Sequence, residues 1–148
     1  MKKEVKLYNL IFPVWLLFIF PIAWLVIVPA NFIVDSLVLL LGMKKINIID
    51  KKGFYKKHIF KVFIFGILAD IIGALYMFIM MFVFETAQRG DELSLTIPGV
   101  LISFIMIFVF NYFITFKKLE RKERFKLALI IAIITAPYTF LTPIDWYY

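Results

Sequence analysis

Sixteen of the seventeen Lys and Arg residues in this 148-residue chain fall into three short clusters, Lys2–Lys6, Lys44–Lys61 and Lys117–Lys126. Only Arg89 lies elsewhere, and the intervening stretches are apolar enough to cross a bilayer. Lys and Arg flanking membrane segments mark the cytoplasmic face, so this distribution predicts a topology before any helix is assigned. All three clusters are expected on one side, with the apolar blocks crossing between them.

Composition agrees. With 64% hydrophobic residues, 18 Phe and a mean hydropathy of +0.95, the chain has more apolar surface than a soluble core of this size could hide. A net charge of +7 would point to nucleic acid in a soluble protein. Here the cations border hydrophobic spans, so anionic lipid headgroups at Lys44–Lys61 and Lys117–Lys126 are the expected partners, and nucleic acid is not. The absence of cysteine excludes disulfides and thiolate chemistry, and a single histidine, His58, excludes a multi-histidine metal centre. No phosphate loop, dinucleotide fingerprint or His-Glu-x-x-His motif is present, and no cofactor is expected. The expected class is an all-α polytopic bundle forming one integral-membrane domain over residues 1–148, in the cell membrane.

Four apolar blocks organise the chain: 7–43, 62–84, 97–116 and 127–144. The first is bracketed by lysines at both ends, which predicts two crossings. Pro29-Ala30-Asn31 offers the turn, dividing the block into arms Leu7–Val28 and Asn31–Met43, with the first arm read as a permanent anchor rather than a cleaved leader. The 13-residue second arm reaches only about 20 Å and must be completed by snorkelling of Lys44 and Lys45. Asp50–Gly53 is expected as a turn, and Thr96 as the start of the third block's helix. The acidic 85–96 connection is assigned outside, and Glu120 and Arg124 are expected to pair at i,i+4. The result is about five transmembrane helices, the first two a Pro-turned hairpin, with the N-terminus cytoplasmic and the C-terminus outside.

Two carboxylates fall within the apolar blocks, Asp35 and Asp70. Each is nine residues from a lysine anchor (Lys44 and Lys61), hence about 13 Å deep. Intramembrane carboxylates face protein or a wet cavity and are functional candidates. Asn111 and Thr135 lie at comparable depth, and Asn31 shares a helical face with Asp35, so these five residues form the expected midplane site. Gly66, Gly73 and Ala74 flank Asp70 on one face and invite close helix packing there. With no Lys or Arg at that depth, a proton or a bound cation is the natural neutralising partner of the pair.

The segment Asn31-Phe32-Ile33-Val34-Asp35 resembles, with one more intervening residue, the Asn-x-x-Asp type of motif of intramembrane aspartyl proteases such as the lipoprotein signal peptidase. That resemblance implies a pair of aspartates activating water for peptide hydrolysis. It covers a handful of residues, and both aspartates here lie in the first half of the chain, unlike that family's later pair. The Gly-x-Gly-Asp motif of the presenilin-like group is replaced by Ala69-Asp70. The leading expectation is a protein binding or transporting a proton, cation or small solute. The alternatives are a structural or accessory subunit, acting with copies of itself or a larger membrane partner, and an intramembrane aspartyl hydrolase.

Overall fold

A computed structural model describes residues 21–83 and 92–138, with side chains described over 25–80 and 96–138. These residues form four helices and no strand: α1 (Pro21–Lys45), α2 (Lys51–Val83), α3 (Glu92–Phe110) and α4 (Arg121–Thr135). A π-helical turn, Asn111–Thr115, extends α3. Among the described residues three stretches are long and apolar enough to span a membrane: Leu25–Lys45, Lys51–Met80 and Thr96–Thr115. The chain is a helical membrane protein.

The expected turn at Pro29 is absent, because α1 runs through it without a break. Proline removes one N–H from the helix ladder, whereas a turn there would strip several backbone groups of their bonds. Lipid offers those groups no replacement, so the continuous helix wins. At 25 residues, or about 37 Å, α1 is long enough to span, and the short second arm disappears. Residues 7–20 of the expected first arm lie outside the described residues, as does the 84–91 connection.

The chain reverses at Ile46–Asp50, ahead of the expected turn at Asp50–Gly53. Asn47 adopts the left-handed conformation (φ 55°), and the Ile48 N–H bonds back to the Met43 carbonyl, closing α1 as a Schellman cap. Asp50 then caps α2 by accepting from the Gly53 N–H at 3.0 Å. A Cβ on residue 53 would collide with the Asp50 carboxylate, so the glycine serves the cap.

Two further boundaries differ from expectation. α3 begins at Glu92, upstream of Thr96, so Pro98 lies inside the helix. α4 ends at Thr135, because Ala136, held extended ahead of Pro137, cannot continue it (ψ 145°). The apolar part of α4, Leu127–Thr135, covers only about 13 Å, so the fourth block does not cross as one helix. Residues 139–148 lie outside the described residues.

The four helices close into a ring in which each packs on its chain neighbours and α4 returns to α1. Gly42 meets Leu127, and Phe116 lies against Phe54 and His58, with ring centroids 6.1 and 5.7 Å apart. These contacts bring the C-terminal ends of α1 and α3 to the N-terminal ends of α2 and α4. The clusters Lys44–Lys61 and Lys117–Lys126 therefore occupy one end of the bundle. The solvent-facing logic of a soluble protein is inverted: Leu37, Leu41, Leu68 and Leu101 are exposed, while Asp35, Ser103, Asn111 and Thr115 are buried.

Candidate functional site

Asp35 lies on the buried edge of α1, one and two turns ahead of Val38, Leu39 and Gly42, which pack into the core. The residue is 6% exposed, and its carboxyl rests on α2 at Gly66, where a Cβ would stand 3.5 Å from Oδ2. A methyl at position 66 would sit in ordinary contact with that carboxyl, so the two helices meet there without a clash. Asp70 follows one turn along α2, close enough for its charge to interact with that of Asp35. One of its carboxyl oxygens, Oδ1, is sealed from solvent and has no hydrogen-bond partner.

Helix direction draws the two groups together. Side chains lean toward the N-terminus of their own helix. Because α1 and α2 run antiparallel, the lean of Asp35 and the lean of Asp70 converge. The register that sets Asp35 on Gly66 also places Asn31, half-buried on α1, near the level of Asp70. The carboxylates are thus staggered by about one turn around Gly66. Close by, the Tyr55 hydroxyl donates to Ser36 Oγ at 2.9 Å, tying α1 to α2 on the basic side of the pair.

The other two expected residues are engaged elsewhere. Asn111 is fully buried, and its Nδ2 donates to the Ile107 carbonyl of its own helix at 2.9 Å. The α2–α3 register, fixed by Phe65 against Phe110, puts it about half a turn nearer the basic end than Gly66. Its Oδ1 is without a partner, as is the buried Thr115 Oγ1 at the other end of the π-helical turn. Thr135 reaches the depth of Asp35, given the Gly42–Leu127 register, yet its hydroxyl donates to Ile131 of its own helix at 2.8 Å.

Sequence reasoning anticipated close packing at Gly73 but missed its partners on α3, Gly99 and Ser103. Ser103 is fully buried and donates to the Ala69 carbonyl across the seam at 3.1 Å. A Cβ on Gly73 would strike Ser103 Oγ and come within 2.8 Å of the Gly99 carbonyl, and one on Gly99 would meet Met77 Cγ at 2.7 Å. The signal was present as two small-x-x-x-small spacings, Ala69 to Gly73 and Gly99 to Ser103. Thr115 had no comparable signal, because the π-helical turn that buries it shifts the face it occupies.

His58 is buried at the basic end, with Nδ1 2.8 Å from the Phe54 carbonyl and its ring stacked on Phe54 at 4.0 Å. Among the described residues no group of three or more His, Cys, Asp or Glu could hold a metal ion. Nothing matches this chain among protein-family models, curated proteins or solved structures, so its chemistry is read from the seam itself.

Proposed function

We propose that this chain is a small multi-pass membrane protein whose α1–α2 seam binds, and passes on, a proton or a small monovalent cation. The observation that carries the reading is the Asp35 carboxyl seated on Gly66, one turn from an Asp70 oxygen that is sealed and unpaired. Two carboxylates sharing a low-dielectric seam require a positive partner, and the apolar blocks contain no Lys or Arg to supply one. Asn31, near the level of Asp70, adds a neutral oxygen of the kind that coordinates a hard cation.

The basic end is assigned to the cytoplasm by its lysines. A cytoplasmic N-terminus then requires the segment before Pro21 to cross again, and an external C-terminus requires the residues after Pro137 to complete the path of α4. The test uses full-length protein in liposomes, with a trapped pH indicator and imposed proton and Na+ gradients. Wild type should dissipate one of the two gradients, and Asp35→Asn and Asp70→Asn should not. Equal rates in all three proteins would refute the site.

A second reading, an accessory subunit of a larger membrane assembly, draws on α4, whose described apolar part is too short to span. Native mass spectrometry from nanodiscs would favour it by finding stable copies or co-purified subunits that Asp70→Asn releases.

A further inference from the structure

A groove of about 610 Å³ opens between the end of α3 and the start of α4, outside the acidic seam. Its floor is aromatic: Phe108, Tyr112, Phe113 and Phe125. Its rim is cationic: Arg121, Lys122 and Lys126, all exposed. The two acidic residues of this segment, Glu120 and Glu123, do not line it.

The floor is held in place. Phe108 stacks on Tyr112 at 5.5 Å and meets Phe125 edge-on at 5.5 Å. Arg124 covers the Tyr112 ring at 4.2 Å and donates to its hydroxyl at 3.1 Å. The guanidinium that the sequence paired with Glu120 is thus committed to fixing this ring. Of the three rim cations Arg121 also reaches the Tyr112 hydroxyl, while Phe113 is 62% and Phe125 48% exposed. The groove also has a direction. Phe108 lies nine residues before Lys117, so the floor descends about 13 Å from the basic end along the helix axis.

We infer that this groove is a binding site for one anionic phospholipid, its phosphate on Arg121, Lys122 and Lys126 and the start of an acyl chain on Phe108, Phe113 and Phe125. Charge and polarity select that occupant together. A guanidinium and two ammonium groups match a phosphate, and Arg can grip it with two parallel bonds. A soluble anion would use the rim and leave four aromatic rings uncovered, whereas a neutral lipid would cover the rings and leave three cations unanswered. The ligand has to be anionic at one end and hydrocarbon at the other, in the order that a leaflet presents.

The inference rests on the basic end lying at a bilayer surface, and not on the acidic seam. Flotation of the full-length protein with neutral phosphatidylcholine vesicles tests that premise separately. The lipid site itself is tested by native mass spectrometry of the protein released from mixed phosphatidylglycerol–phosphatidylcholine nanodiscs. The expected result is one phosphatidylglycerol retained per chain in preference to phosphatidylcholine. Removing two rim charges, Arg121→Gln with Lys122→Gln, should weaken retention about thirtyfold, the effect of losing two cations that touch the phosphate. Lys56→Gln with Lys57→Gln removes the same charge from the other cluster and should leave retention unchanged. Phe113→Ala should weaken phosphatidylglycerol without creating a preference for inorganic phosphate. Equal losses from the two charge pairs would overturn the site in favour of diffuse attraction. Competition by inorganic phosphate at the lipid's own affinity would overturn the lipid as occupant.

Discussion

The two seams that α2 forms with its neighbours settle their polar groups in different ways. Toward α3 the interface is built for closeness: Gly73 and Gly99 bring the backbones together, and the buried Ser103 hydroxyl is satisfied by the Ala69 carbonyl. Toward α1 the interface holds two carboxylates, one resting on a glycine and the other with an oxygen left unpaired. The first seam gains from van der Waals contact and one interhelical hydrogen bond, which is how helices associate where lipid removes the hydrophobic drive. The second holds groups that weaken packing unless something positive joins them. A single helix thus separates the part that holds the bundle together from the part proposed to do chemistry.

Substitutions should divide along that line. Gly73→Val carries the largest expected effect on stability. Its side chain meets the Gly99 backbone, which cannot give way as a flexible side chain would, so a loss of about 3 kcal/mol is expected. The shift of the unfolding midpoint in denaturing mixed micelles reads it, and an unchanged midpoint would mean that the seam is not close-packed.

Asp70→Asn should do the reverse, holding stability within about 1 kcal/mol of wild type while gradient dissipation in liposomes falls to background. Collapse of the fold instead would recast the aspartate as interhelical glue. Ser103→Ala removes one bond across the tight seam and should cost about 0.6 kcal/mol, with activity intact. Smallest of all, Gly66→Ala places its methyl at ordinary contact distance from Asp35 Oδ2. Stability should change by less than about 0.5 kcal/mol, and any fall in ion binding would come from crowding the carboxyl.

The membrane class, and the positions of the two carboxylates along their helices, were legible in the sequence because they depend on composition and spacing alone. Lysines at block ends and an aspartate nine residues inside each lysine are one-dimensional facts. The gathering of two lysine clusters at one end followed from the same facts. What was not legible depends on the surroundings. Pro29 reads as a turn by local preference, yet the lack of water to satisfy broken backbone bonds keeps α1 helical through it. Asn47 takes the left-handed cap position that glycine usually fills, so the real reversal came earlier than the Asp50–Gly53 signal suggested.

Depth alone also proved too coarse for the site. Asn111 and Thr135 met the height criterion approximately, but each turns a donor to a carbonyl one turn back on its own helix. Short polar side chains in helices have that local option, and spacing does not reveal whether they take it. Asp35 has no donor to turn in this way when ionised, and its carboxyl instead reaches α2.

The proposed contrast between an ion-accessible seam and a dry one can be measured directly, because the chain has no native cysteine. Gly66→Cys and Ser103→Cys place single thiols at the α1–α2 and α2–α3 seams, to be labelled in liposomes with a small, charged, water-soluble thiol reagent. The cysteine at position 66 should react, with Na+ or protons slowing it, while the one at position 103 stays inert. Labelling at 103 with silence at 66 would contradict the assignment of the acidic seam as the place where an ion enters.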